Sequence, residues 1–202
     1  MTNPAPRLLA VLAACLMALS GARAGAAPGF DALLDEAAAT FAPPAGFAAA
    51  PVPTVPAFPF DRALAAPDGG LTVAYAVRPI ARMEIDYNDP HSSAPNPNHI
   101  FPLVYGSLVG LLSAGGHSPS REFPAQEARA RFNADWASAT AFDLDPAVSP
   151  DHRYGFLLAL HKNARADVYV LFLFSDPAKA KGRIDALLTS LKFRPGGAAD
   201  GR

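Results

Sequence analysis

Two apolar runs of seven residues each dominate the hydrophobic pattern of the chain: YGFLLAL from Tyr154 to Leu160 and VYVLFLF from Val168 to Phe174. Each run has the length of an ordinary strand, contains aromatic residues and ends at charged or turn-forming residues. Because nearly every position is apolar, both faces of each strand should be covered by other elements. The pattern therefore predicts an antiparallel hairpin in the middle of a sheet.

The segment before this hairpin combines helical and strand periodicities. Apolar residues at helical spacing predict an amphipathic helix over 30–41. Residues 43–59 include six prolines with apolar side chains among them. They predict an extended segment on the domain surface, with a flexible linker as the alternative. Alternating residues predict a strand over Leu71–Arg78 and a second strand over 83–87.

Further helices and strands are predicted on both sides of the hairpin. A mostly apolar helix should cover Phe101–Ser113, with Pro102 at its first position, Asn98 upstream as a cap, and Gly106 and Gly110 pressed against the sheet. A short helix from Pro124 to Asn133 and a strand over 136–144 should follow. After the hairpin we expect a helix capped by Ser175 or Asp176, and Leu191–Phe193 as a short edge strand.

These elements indicate one α+β domain over residues 25–195, with a central antiparallel sheet flanked by helices and a disordered tail at 196–202. Half of the 202 residues are hydrophobic and 17% are charged, which is typical of a globular protein.

The first 24 residues resemble an export signal. The apolar run Leu8–Leu19 follows a basic residue and precedes a cleavage site after Ala24. We therefore expect a periplasmic or secreted bacterial protein with no transmembrane span after signal cleavage. Leu12–Cys15 also resembles a lipobox, so a lipoprotein anchored at Cys15 is the alternative. Cys15 is the only cysteine, and ordinary cleavage leaves no thiol for a disulfide.

The charge balance gives little support to nucleic acid as a partner. The formal net charge is −1, and loss of residues 1–24 removes two arginines and no acidic residue, which gives 15 − 18 = −3. Lys and Arg are scattered, so there is neither a basic stripe for nucleic acid nor a polybasic patch for an anionic membrane.

Short motifs resemble the PsbP-like fold. Phe41–Phe47 reads FAPPAGF, paired apolar strands follow, and a helix with a terminal LKF closes the chain. Asn133–Trp136, His161-Lys162 and Ala166–Val170 also resemble an uncharacterised family of exported bacterial proteins. The PsbP-like resemblance implies an accessory, partner-binding role without a catalytic centre. The proline-rich stretch and the 101–113 helix depart from the PsbP-like pattern.

One acidic segment is a candidate metal site. Glu84, Asp86, Asp89 and His91 lie close together in sequence, with Asn88 between them and His99 downstream. Oxygen ligands of this kind suit a hard cation such as Ca²⁺, although the spacing is not that of an EF-hand. A solvated strand face followed by a turn is the alternative.

Two further sites are candidates. His117-Ser118 follows Gly115-Gly116 in a loop that could support a serine hydrolase with Asp135 or Asp151, against a plain surface loop. Trp136, His161 and Lys162 form a candidate partner surface. His161 and Lys162 should lie opposite Asp167 across the hairpin and pair with it. Trp136 is also a candidate for an aromatic surface with Tyr154, with core packing as the alternative.

The sequence therefore favours an exported, non-catalytic accessory protein that binds another protein in the cell envelope. A cation- or small-ligand-binding protein using residues 84–99 is the first alternative, and a serine hydrolase is the second. No cofactor is expected apart from Ca²⁺ in the first alternative.

Overall fold

The computed structural model describes residues 29–83, 96–115 and 119–195. Within these ranges the chain forms a seven-stranded antiparallel sheet, a two-stranded sheet and four α-helices. The predicted fold class, a single α+β domain with a central antiparallel sheet flanked by helices, is confirmed. None of the helices in these ranges has the length and apolarity needed to cross a membrane.

The helices are α1 (Phe30–Glu36), α2 (Pro97–Leu112), α3 (Ala125–Phe132) and α4 (Pro177–Leu187). The strands are β1 (Ala39–Phe41), β2 (Ala48–Ala49), β3 (Arg62–Ala65), β4 (Thr72–Pro79), β5 (Ser120–Glu122), β6 (Trp136–Asp143), β7 (Tyr154–Lys162), β8 (Ala166–Phe174) and β9 (Leu191–Phe193). The large sheet has the order β2-β3-β4-β8-β7-β6-β5, and β1 pairs with β9.

The predicted hairpin is the centre of the large sheet. β8 is the fourth of seven strands and pairs with β4 on one side and β7 on the other. All nine residues of β8 are buried. Burial of a large apolar side chain contributes about 1.5–3 kcal/mol, so this strand supplies much of the hydrophobic stabilisation. The apolar residues on both faces are explained by the layers that cover the two sides of the sheet.

Each face of the sheet has its own core. On one face, α1, α3, α4 and the β1–β9 pair cover residues such as Val73 and Val170. On the other face, α2 and the proline-rich segment cover Ala74, Tyr169 and Leu171. Val55 in the proline-rich segment is buried in this second core, which confirms an extended segment along the domain and excludes the flexible-linker alternative for this residue.

The predicted helix over 30–41 is too long. α1 ends at Glu36, the backbone turns through Ala38 with a positive φ of 50°, and Phe41 lies in β1. Phe41 still packs edge-on against Phe30, with ring centroids 5.3 Å apart. The chain therefore places Phe41 on the same core after a tight turn, which satisfies the helical spacing without a helix.

The helix that begins near residue 100 starts earlier than predicted. Asn96 caps α2 by accepting a hydrogen bond from Asn98 N at 2.9 Å, and Pro102 lies inside the helix. The expectation that Gly106 and Gly110 press against the sheet is wrong. Both are exposed, and a Cβ added at either would meet no atom of the described residues within 4 Å.

The remaining elements agree more closely with those predicted from the sequence. β6 is as predicted, and α3 lies between Pro124 and Asn133, which closes it with a left-handed conformation (φ 52°). Asp176 caps α4 by accepting from two backbone N–H groups. The strand Leu191–Phe193 exists, but it pairs with β1 rather than with an edge of the large sheet. Of the second predicted strand, Met83 alone is described, after a 3₁₀ turn over Ile80–Arg82.

Candidate functional site

The acidic segment lies outside the described residues. Glu84, Asp86, Asp89 and His91 all belong to the range 84–95, so the calcium site stays a prediction. His99 is described and is exposed in the first turns of α2. Within the ranges that the structure describes, no three His, Cys, Asp or Glu side chains lie together in a way that could hold a metal ion.

The candidate hydrolase loop is outside the described residues as well, because His117 and Ser118 fall in the range 116–118. A different serine and histidine meet after β6, where Ser149 Oγ lies 2.8 Å from His152 Nδ1. Burial lowers the pKa of His152, and the charge of Asp151 opposes that effect. A contact between residues three apart is typical of a turn, and it fixes the loop.

A buried histidine–aspartate pair joins the two central strands. His161 and Asp167 are partners in the β7–β8 register, and His161 Nδ1 lies 2.6 Å from Asp167 Oδ1. Their side chains are 5% and 1% exposed. The sequence predicted that these residues pair at the end of the hairpin, and the structure confirms it.

Both ring nitrogens of His161 face oxygen atoms. Nδ1 faces the Asp167 carboxylate, and Nε2 lies 3.1 Å from Asn163 Oδ1. Burial alone would lower the pKa of His161, but the hydrogen bond and charge of Asp167 outweigh it, so the pKa is raised. A doubly protonated ring satisfies both acceptors, whereas a neutral ring would leave one nitrogen facing an oxygen without a proton.

The turn after this pair is tied to two neighbouring elements. Asp135 accepts a hydrogen bond from Asn163 N at 3.0 Å and lies 3.6 Å from Lys162 Nζ. Asn98, at the start of α2, accepts from Ala164 N at 2.7 Å. Lys162 therefore pairs with Asp135 rather than with Asp167, and the hairpin turn holds both the α3–β6 connection and the N-terminal end of α2.

Trp136 belongs to an aromatic cluster on the α2 side of the sheet. Its ring meets Phe101 edge-on at 4.6 Å between centroids, and Tyr105 lies 5.9 Å away. Phe101 also lies against His161, at 5.2 Å. Trp136 thus anchors α2 to the sheet.

The prediction of an aromatic surface that combines Trp136 with Tyr154 is wrong. Trp136 pairs with His161 at one end of β6 and β7, whereas Tyr154 pairs with Asp143 at the other end. At about 3.4 Å per residue along a strand, the two aromatic residues are roughly 20 Å or more apart. Tyr154 therefore lies at the opposite end of the β6–β7 pair from Trp136.

The structure brings the three partner-surface residues together. Trp136 is opposite His161 in the strand register, and Lys162 follows His161 directly. The ring of His161 points into the interior, while Trp136 and Lys162 are half-buried. Partner binding through this group stays a prediction, and the part available for contact is the edge formed by Trp136 and Lys162.

A second surface was missed by the sequence reasoning. The outward side of α2, here called the α2 outer face, consists of Leu103, Gly106, Ser107, Gly110 and Leu111. Leu103 is 72% exposed and Leu111 is 44% exposed. The whole helix, sixteen residues long, contains no Asp, Glu, Lys or Arg. This lack of charge over 97–112 is the signal that could have identified the surface.

Comparison with known proteins gives no relative: no family model matches the chain, and no curated protein is similar to it.

Proposed function

We propose that this protein is an exported, non-catalytic accessory protein of the bacterial cell envelope that binds a partner protein through the α2 outer face. The observation that carries the proposal is the exposure of Leu103 on a surface helix without charged residues. Contiguous exposed apolar surface on a soluble domain is typical of an interaction site. Isolated exposed leucines are common, but here two leucines lie two turns apart on one face.

The shape of the α2 outer face favours close contact. Leu103 and Leu111 are eight residues apart, so they lie on the same side of the helix, with Gly106, Ser107 and Gly110 between them. No atom of the chain's described part lies within 4 Å of a Cβ added at either glycine. A partner can therefore approach the backbone of α2 closely between two leucine side chains. Full burial of an exposed leucine contributes about 1.5–3 kcal/mol, and here the gain scales with the 72% and 44% that are still exposed.

The chemistry of the face specifies an uncharged, apolar partner segment. A charged group placed there would lose its hydration without an opposite charge on α2. A lipid surface fits less well, because helices that lie on membranes carry Lys or Arg along their polar face. α2 has neither, and the chain as a whole has a net charge of −1. An apolar helix of another protein is therefore the occupant that we propose.

Photo-crosslinking tests the surface directly. A photoreactive phenylalanine analogue replaces Leu103 in one sample and Val52 in a control, because Val52 is also an exposed apolar residue, at 45%, but lies in the proline-rich segment. The proposal requires that position 103 crosslinks to one identified envelope protein, that position 52 does not, and that Leu111→Glu abolishes the product.

Three outcomes would contradict the proposed role of the α2 outer face. Equal crosslinking from both positions would show a non-specific apolar contact. A product of twice the chain mass would identify a second copy as the occupant, and crosslinking to lipid alone would identify a membrane surface. Circular dichroism of Leu111→Glu provides the control for folding.

Export is a separate part of the proposal. It is supported by the apolar run Leu8–Leu19, the cleavage site after Ala24 and the resemblance to exported families described above. Intact mass and membrane partitioning after expression in a bacterial host test it. A soluble species that begins at Gly25 is expected. A membrane-bound species that begins at acylated Cys15 would make the protein a lipoprotein, and an uncleaved soluble chain would refute export.

A further inference from the structure

A cavity of about 470 Å³ opens at the edge of the large sheet, beside the C-terminal end of β4. Its described wall includes Leu33 from α1, Phe58 from the proline-rich segment, Val104 from α2 and Tyr169 from β8. Ligand cavities in proteins typically measure about 300–1,000 Å³ and are mostly apolar. The size and lining are therefore those of a small-molecule site.

The cavity lies where β4 extends beyond β3. The pairing of β3 with β4 ends at Arg62 and Tyr75, so among the described residues no strand pairs with the last residues of β4 on that side. Asp61 covers part of this open edge by accepting a hydrogen bond from Val77 N at 2.7 Å. Ala76 lies opposite Tyr169 in the register, and both residues belong to the core on the α2 side of the sheet.

Tyr169 has an unused polar group. Its side chain is completely buried, and its hydroxyl has no hydrogen-bond partner in the part of the chain that the structure describes. Burial raises the pKa of Tyr169; the charge of Asp167 adds to this effect and that of Arg78 opposes it. Asp167 and Arg78 line the cavity together with Tyr169, and the raised pKa keeps the Tyr169 hydroxyl protonated as a donor.

The charged groups of the described wall are already paired. Arg78 binds Asp61 at 2.7 Å, Asp167 binds His161 at 2.6 Å, and Arg82 binds Glu36. An ion that entered the cavity would lose water without gaining a new opposite charge. The available polar interaction in this wall is thus a neutral hydroxyl donor among apolar side chains.

We propose that the cavity binds a small neutral molecule with an apolar body and one oxygen acceptor, which receives a hydrogen bond from the Tyr169 hydroxyl. At about 30 Å³ for one water, the space corresponds to roughly fifteen waters, which sets the upper size of the ligand. The hydroxyl is shielded from water, so part of the wall must shift when the ligand enters. Met83 is the adaptable element, because its side chain is flexible and half-buried at the cavity.

Three probes of nearly equal shape separate the interactions. Acetophenone carries a carbonyl oxygen, cumene replaces it with a methyl group, and benzoate replaces the methyl ketone with a carboxylate. Binding is measured by NMR titration of the full chain. One neutral hydrogen bond corresponds to a factor of about 2 to 12 in Kd. We expect acetophenone to bind about 2- to 12-fold tighter than cumene, and tighter than benzoate.

Matched variants locate the binding and the hydrogen bond. Tyr169→Phe should make the Kd values for acetophenone and cumene equal, whereas Tyr75→Phe, a buried tyrosine on the opposite face of the sheet, should leave the preference unchanged. Val104→Trp fills the cavity from a half-buried position and should abolish binding of both probes.

Equal binding of the ketone and the hydrocarbon to the wild type would overturn the proposal. So would a preference that survives Tyr169→Phe, tighter binding of benzoate, or unchanged binding to a folded Val104→Trp variant. This site is independent of the α2 outer face, so Leu111→Glu should leave the Kd for acetophenone unchanged.

Discussion

Removal of the Tyr169 hydroxyl should stabilise the protein. A buried hydroxyl without a hydrogen-bond partner costs about 1–3 kcal/mol, and phenylalanine fills nearly the same volume without that cost. Tyr75 gives the opposite case, because its buried hydroxyl lies 3.2 Å from Ser190 Oγ and burial raises the pKa of Tyr75 to about 12. Loss of this neutral hydrogen bond should cost about 0.5–1.5 kcal/mol.

The measurement is urea unfolding of the wild type and both variants at pH 7 and 25 °C, without ligand. We expect Tyr75→Phe to be less stable than the wild type by about 1 kcal/mol and Tyr169→Phe to be more stable than the wild type by about 2 kcal/mol. For a domain of this size, such a difference corresponds to roughly 4–8 °C in Tm. The slope of the unfolding free energy against urea should be the same in all three proteins, because the surface exposed on unfolding does not change.

A loss of more than about 0.5 kcal/mol in Tyr169→Phe would show that water or another group satisfies the hydroxyl in the wild type. Tyr154→Phe is the control for removal of a tyrosine hydroxyl as such. Tyr154 is half-buried at the far end of β7, and the change there should be within about 0.5 kcal/mol of zero.

Three further predictions concern packing, protonation and metal binding. Gly155→Ala should lower the free energy of unfolding by about 1–3 kcal/mol, because the new Cβ would lie 2.3 Å from the Phe142 ring. Gly110→Ala, on the exposed side of α2, should raise it by about 0.5–1 kcal/mol. Equal effects of the two changes on Tm would contradict this difference in packing. The free energy of unfolding of the wild type should exceed that of His161→Gln most below about pH 6.5. The difference should fall as the pH rises through the raised pKa of His161, because the folded state binds the additional proton. Urea unfolding from pH 5.5 to 8.5 measures this slope, and a difference that does not change with pH would exclude a charged ring. Calcium should raise the Tm of the wild type but not of a variant that carries both Asp86→Ala and Asp89→Ala. Equal shifts in the two proteins would exclude a calcium site in this segment.

The central part of the fold could be predicted because its signals are dense. The runs that became β7 and β8 are apolar on both faces, and the alternation over Leu71–Arg78 marks β4 with nearly its observed limits. The short strands β2, β3 and β5 have between two and four residues each, too few for a periodicity to emerge. Their positions are fixed by the strands beside them rather than by their own sequences.

The end of α1 and the orientation of α2 required tertiary information. Phe41 fits a helical spacing from Phe30, but a tight turn and β1 place its ring on the same core. In α2, apolar residues occur on every side, so the sequence could not show that Phe101 faces the sheet and that Gly106 faces outward. The competing interaction in both cases is packing between elements distant in sequence.

The candidate sites divide in the same way. The pairing of His161 with Asp167 follows from the hairpin, because residues that flank a short turn lie opposite each other in an antiparallel register. The role proposed for Tyr169 could not be predicted, because a tyrosine within VYVLFLF looks like any other core aromatic residue. Its environment depends on Ala76 and on the end of β3, which belong to other strands.

The small β1–β9 sheet has a consequence for the order of folding. It joins Ala39 to Phe193, and Arg194 N donates to Ala38 O at 2.7 Å. Closing a flexible loop of this length costs about 4.5 kcal/mol in chain entropy beyond a constant contribution, which three paired residues cannot offset alone. We expect this pair to form after the large sheet has brought the two segments near each other. The pair would then hold the N-terminal and C-terminal segments of the folded domain together. Amide hydrogens in β1 that exchange more slowly than those in β8 would contradict that order.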